Sequence, residues 1–453
     1  MTKPNFLFLT IDTLRTDRLG CYGQPRPLTP HIDRLAEKGI RFSQAVTGGS
    51  WTQAAFPVML TSTYASMHGG CMGPLSPGRP SPVSTLSESG YITGGFSTNP
   101  LLSKAYAYDR GFDYFADLVP SEQDPWLRKV KGGHALLKAP LTHRFGRRLG
   151  KRTRPAKVYA SGGELTDQIC EWIDGVEEPF FAWAHYMDVH WPYHIEDELE
   201  QPAEIAQAWR DLVHLHEVNW AGGAINEDHR QHYIQLYERA LVYLDAQIGR
   251  LLDFLDESGK GENTVIILVA DHGEEFLEHK RWGHWENNLH DEILLVPLLI
   301  QVPGKPERSV VSRQVRTLDL MPTVLDLCGI TPEPALEGES LLPLWNGWED
   351  HYRGDVSVSE MWREHWHIIA VRTESFKYIW DSRQPDQPIL YDLQKDPEEL
   401  QDVSDRFPEV IADLHPYVRD TLEKMDKTST VGGLLPEPDA AMRSRLRDLG
   451  YIE

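Results

Sequence analysis

The chain is short of cysteine, of basic charge and of long apolar runs. Its four cysteines, Cys21, Cys71, Cys170 and Cys328, are scattered through 453 residues and form no close-spaced metal motif, so a reduced compartment is the simplest fit. Lys and Arg number 45 against 68 Asp and Glu, a formal charge of −23. That balance argues against general nucleic-acid binding, because phosphate contacts need a net basic face. No run of about 18 apolar residues is present, and Asp12 falls inside what would be the apolar core of a signal peptide. The expected location is therefore cytoplasmic. With 41% hydrophobic and 25% charged residues, the composition is that of a globular, soluble protein.

At this length one ordinary core is too small, and a large domain over residues 1–338 with a smaller one over 339–453 is expected. Up to about residue 330, apolar runs alternate with helical periodicity, the pattern of an α/β fold with a large, mostly parallel sheet flanked by helices. Strands are predicted at residues 5–11, 180–184, 264–270 and 296–300. Pro30 opens a helix that Gly39 closes, and a long helix is predicted over residues 231–257. After Gly338 the composition shifts. Strand candidates at 366–372, 376–380 and 389–391, then a helix near 409–427, predict a small antiparallel sheet plus helix. One segment departs from the acidic average: between Trp126 and Gly163 there are eleven Lys or Arg and no Asp or Glu. It is either a solvated surface excursion or a cationic lip over about 126–160 that gathers a polyanionic substrate or touches an anionic membrane surface.

Two carboxylates stand directly after strand-like runs, Asp12 after Asn5–Ile11 and Asp271 after Thr264–Ala270, the second followed by His272. Such runs suit strands buried on both faces of a parallel sheet, and ligands collect outside the carboxyl ends of those strands. Asp12, Asp271 and His272 are thus candidate ligands of one metal, although an Asp after a strand can also cap a turn. Thr52 precedes a helical run, where its hydroxyl either caps the helix or, if it touches the metal, becomes an alkoxide nucleophile. Two histidine-bearing stretches, His185–Tyr193 and Trp282–His284, add His190, His284 and Asp188. Imidazoles there could protonate a leaving oxygen, hold an anionic group, or bind a second metal with Asp188.

Together these pieces resemble the sulfatase family of the alkaline phosphatase superfamily over nearly the whole chain. The resemblance rests on Asn5–Asp12, Thr29–Ala36, Leu60-Thr61 with His68-Gly69, Gly111–Asp113, Asp188–Tyr193, Asp271–Glu274, Trp282–His284, and Leu390–Leu393 with Asp396–Glu398. It implies that Asp12, Asp271 and His272 hold metal, that Thr52 stands at the nucleophile position, and that His190 and His284 contact the transferred group or the leaving oxygen. It also implies Asn99 as a residue of the same pocket.

The departures from that family are chemical. A Cys or Ser that becomes formylglycine, with Pro two and Arg four residues later, is replaced here by Thr52, Ala54 and Phe56, and the second Asp of the usual pair is Thr13. A threonine cannot become that aldehyde hydrate, so water must attack a covalent Thr52 adduct. The leading expectation is a metal-dependent hydrolase or transferase cleaving a phosphate ester, a diester first, carried by a small molecule, lipid or glycan. The alternatives are a sulfuric ester hydrolase and, in another class, a catalytically inactive homologue that binds anions. A donor set with imidazole nitrogen favours Mn²⁺ or Zn²⁺ and leaves Ca²⁺ open, with one site expected.

Overall fold

The computed structural model describes residues 3–118, 159–195, 199, 201–221, 223–284, 288–305, 309–363 and 365–429. Apart from Tyr159 and Ala160, the basic segment at about 126–160 lies outside the described residues.

The strand β1 (Asn5–Ile11) and the strand β6 (Thr264–Ala270) have the bounds their apolar runs predict, and every residue of both is buried. The remaining strands of the large sheet are β2 (Ile40–Val46), β3 (Ile92–Ser97), β4 (Tyr114–Asp117), β5 (Phe180–Tyr186), β9 (Leu295–Gln301), β10 (Ser309–Val311) and β11 (Val315–Arg316). Among the described residues they form a nine-stranded sheet in the order β10-β2-β9-β6-β1-β5-β3-β4, with β11 also on β2. Mostly parallel holds, but the sheet is mixed: β9 runs antiparallel to both β2 and β6. Orientation is the part that an apolar run cannot encode, because burial on both faces looks alike in either direction.

Side chains alternate across a strand, so β5 shows how the helices divide between the two faces. Thr166 of the helix α4 (Gly162–Gly175) meets Tyr186 at 2.9 Å between hydroxyls, whereas Phe56 of the helix α2 (Thr52–Thr61) packs on Trp183 and His185. With α4 go α1 (Pro30–Lys38) and α6 (Glu227–Glu257); with α2 go α3 (Pro82–Glu88) and α8 (Leu320–Leu327). The helix α5 (Pro202–Ala221) precedes α6. A capping box on Ser161 and Glu164 starts α4, and the Asn226 side chain caps α6.

A second sheet, β12 (Ser357–Arg363), β13 (Trp366–Arg372), β14 (Phe376–Asp381) and β15 (Ile389–Asp392), is antiparallel throughout and carries the helix α9 (Pro408–Thr428). Its first strand reaches into the larger unit. The Ser359 hydroxyl donates to the Thr47 carbonyl at 2.6 Å, and the Glu360 amide donates to the Gly48 carbonyl at 2.9 Å. A short hairpin, β7 (Glu275–Phe276) with β8 (Trp282–Gly283), follows the Asp271 turn, and the single-turn helix α7 (Asp291–Leu294) leads into β9. All four cysteines are free thiols.

Phe8 lies midway along β1, fully buried, opposite Trp183 and Ile267. Phe8→Ala is expected to lower the unfolding free energy by about 3–5 kcal/mol through lost burial and the cavity left behind, measured by chemical denaturation.

Candidate active site

Parallel pairing of β1 with both β5 and β6 sets the site. Thr10 is in register with His185, and Ile11 with Tyr186 and Ala270, so Asp12 and Asp271 emerge side by side at the carboxyl edge. Asp12 Oδ2 accepts a hydrogen bond from Asn99 Nδ2 at 3.1 Å and faces His185 Nε2 at 3.3 Å and the Thr52 hydroxyl at 3.5 Å. Asp271 Oδ1 accepts from the amides of His272 at 2.8 Å and Thr13 at 3.3 Å. Thr47, tied to the second sheet through its own carbonyl, donates its hydroxyl to the Asp271 carbonyl at 2.5 Å.

The outer oxygens are left over. Asp12 Oδ1, Asp271 Oδ2 and His272 Nε2 are buried without a hydrogen bond, and Nε2 stands 3.5 Å from Asp271 Oδ2 and 3.8 Å from Asp12 Oδ1. One ligand atom from each of Asp12, His185 and Asp271 also lies within 4.8 Å of the others. Two fully buried carboxylates beside unsatisfied imidazole nitrogen fit a divalent cation, since unpaired buried charge is otherwise costly. The electrostatics agree. Burial and the adjacent Asp12 charge push Asp271 well above the usual carboxylate range. Burial alone would raise Asp12 too, but the charge of His190, the hydrogen bond from His185 and the charge of His272 hold it below that range.

Thr52 is the first residue of α2, and no side-chain capping bond forms at that end of the helix. Its hydroxyl is turned to Asp12 instead of capping. Phe56 stacks edge-on against His185 with ring centroids 4.9 Å apart and also meets Trp183 at 5.7 Å. Hydrocarbon therefore fills the space beside the imidazole. Thr13 holds a left-handed backbone with φ of 56° and donates its hydroxyl to the Val189 carbonyl at 3.0 Å, so its side chain ties β1 to the following loop.

His190, His272 and His284 gather on one side. Ring centroids are 5.1 Å apart for His190 with His284 and 4.5 Å for His272 with His284. His190 Nδ1 donates to the Trp191 carbonyl at 2.6 Å, and His284 Nδ1 is 3.1 Å from Glu274 Oε2. Burial lowers His190 to about 4; burial with the neighbouring His272 lowers His284 to about 3. Both rings are therefore neutral near pH 7.

Asp12, Thr52, Asn99, His190, Asp271, His272 and His284 are thus brought together. Asp188 Oδ1 accepts from the Gly162 amide at 2.9 Å, and a Cβ at Gly162 would lie 2.5 Å from its Oδ2, so the carboxylate anchors the start of α4. His185 is the addition. It stands in the predicted histidine stretch, but β5 continues two residues past the expected end at Ala184, which turns this ring toward Asp12.

The sulfatase profile matches residues 4–330. The chain belongs to the sulfatase family. Residues 278–427 match the C-terminal region of N-sulphoglucosamine sulphohydrolase, so the second sheet and α9 form the matching sulfatase part. Relatives include the uncharacterized sulfatase YidJ of Escherichia coli (strain K12), 27% identical over 94% of this chain and 88% of that protein. The Delta 4,5-hexuronate-2-O-sulfatase of Bacteroides thetaiotaomicron is 25% identical over 99% of this chain and 94% of its own. A solved 2-O GAG sulfatase superposes with a TM-score of 0.70 at 22% identity, covering 98% of this chain and 96% of that one, and shares the fold. This sulfatase-family chain is accordingly a hydrolase of the α/β type the sequence predicts.

Asp12→Asn is expected to lower the divalent metal content of the purified protein by one equivalent, read by elemental mass spectrometry, with circular dichroism unchanged.

Proposed function

We propose that the protein hydrolyses a sulfate ester carried by a small, saccharide-like alcohol. The observation that carries this reading is the meeting of Asp12, Asp271, His272 and His185 beside Thr52 in a chain whose relatives include a hexuronate-2-O-sulfatase. Those four side chains would hold a divalent cation, which would supply positive charge to the transferring group. Two imidazole nitrogens in the set favour Mn²⁺ or Zn²⁺ over Ca²⁺, which takes oxygen ligands.

The chain's own residues divide the remaining work. Asn99 fixes the rotamer of Asp12 and so the direction of its unbonded oxygen. Thr52 Oγ1 attacks sulfur; the O–S bond forms, the ester S–O bond breaks, and the hydroxyl proton passes to a neutral imidazole, which we assign to Nε2 of His190, since Nδ1 carries that ring's own proton. His284, with Nδ1 3.1 Å from Glu274 Oε2, takes the proton of the buried Glu274 carboxyl at that nitrogen as its Nε2 gives its own proton to the departing alcohol, leaving a Glu274 carboxylate. Water then cleaves the threonine sulfate. The hydroxyl at position 52 also favours a second reading, phosphoryl transfer from a phosphate mono- or diester, because a threonine adduct with phosphorus is opened by water without any aldehyde hydrate.

Side-by-side rates on an aryl sulfate, an aryl phosphate and an aryl phosphodiester decide between the two. The sulfate is expected to be turned over at least tenfold faster; a faster phosphate or phosphodiester would replace the first reading with the second. Thr52→Ala is expected to lower kcat by about a thousandfold or more with metal content unchanged, and an undiminished rate would remove Thr52 from the chemistry.

A further inference from the structure

Three segments bear much of the active site: the turn after β1, the loop after β5 and the β7–β8 hairpin that follows Asp271. One side chain, from a helix that bears none of the site residues, meets all three. Tyr237 belongs to α6 and is fully buried. Its ring stands edge-on to Tyr193, with centroids 5.7 Å apart, and to Phe276 at 5.1 Å. Its hydroxyl enters the turn after β1, where it donates to the Thr13 carbonyl at 2.9 Å and accepts from the Arg15 amide at 3.0 Å.

That turn is strained. Thr13 holds φ of 56°, a region that a β-branched residue enters only when its surroundings compel it. The phenol supplies the compulsion. Thr13 and Arg15 are both buried, so without the hydroxyl a carbonyl and an amide must find other partners by moving the turn. Burial raises the pKa of the phenol, so the hydroxyl keeps its proton and can donate. What the turn delivers is the Thr13 amide, which donates to Asp271 Oδ1 at 3.3 Å and so turns the unbonded Oδ2 outward.

From a hydroxyl set between Thr13 and Arg15 and a ring set between Tyr193 and Phe276, we infer that Tyr237 is a positioning residue of the active site. It holds Thr13 in the left-handed conformation, which fixes the directions of Asp12 and Asp271, and it keeps the loop of His190 and the hairpin leading to His284 packed on that turn. This role rests on the cation site proposed above. Tyr237 acts through Thr13, and removing a group that orients metal ligands weakens metal binding by about 10–100-fold.

The test uses the full chain, freed of metal with a chelator and titrated calorimetrically with Mn²⁺. Wild type is expected to bind one equivalent. Tyr237→Phe keeps the ring and loses the hydroxyl, and is expected to bind about 10–100-fold more weakly with the circular dichroism of the metal-free protein unchanged. Glycine takes positive φ without strain, so in a Thr13→Gly background the same change is expected to weaken binding by less than about threefold. Equal dissociation constants for wild type and Tyr237→Phe would overturn the role of Tyr237 and leave the cation site standing, as would a loss undiminished by Thr13→Gly. No uptake by the wild type would overturn both. Should Tyr237→Phe alone fail to fold, recovery of the fold in the double variant supports the same coupling, and a double variant that also fails would overturn it.

Discussion

Two fully buried carboxylates, Asp12 and Asp271, dominate this molecule. Each fully buried ion carries a desolvation penalty of several kcal/mol, and their like charges add repulsion in a low-dielectric setting. What surrounds them answers that penalty. Amides of Thr13 and His272 bind one oxygen of Asp271, Asn99 binds one of Asp12, and the two oxygens without bonds point to a position for a cation. The sheet exists in a form that makes this possible. β5, β1 and β6 are adjacent and parallel, so their carboxyl ends coincide although β1 and β6 are some 250 residues apart in the chain.

The same constraint explains the departures from the usual sulfatase pattern. Phe56 stands against His185, so among the described residues an aromatic ring takes the space beside that imidazole. With Thr13 in place of a second acid, the first turn after β1 contributes a backbone amide and a tether to Val189 where an additional negative charge would stand. Both changes lower the charge density of the site on opposite sides of the ledger, one cation and one anion fewer, and leave it close to balance.

Much of this was legible in the residues alone, for a physical reason. β1 and β6 are uniform apolar runs ended by an acid, so burial, bounds and the ligand positions were readable together. β2 and β12 mix polar with apolar residues, Ile-Arg-Phe-Ser-Gln-Ala-Val and Ser-Val-Ser-Glu-Met-Trp-Arg, and no expectation covered them. The reversed direction of β9 is a property of connections and escaped for that reason. His185 was missed because a strand end was set two residues early. The bond from Asp188 to the Gly162 amide was not legible, because nothing in the residues around either one announces that pairing.

The place of β1 has a consequence for biosynthesis. β1 precedes both of its sheet neighbours in the chain, β5 beginning at Phe180 and β6 beginning at Thr264, and occupies the middle of the sheet. Until β6 has been made, the seven residues of β1 have no native partner on one side, and the flank remains open for adventitious pairing. A nascent chain of this kind carries an unpaired apolar strand until its second neighbour is made, and the acids that follow β1 and β6 act meanwhile as solubilising punctuation at the strand ends.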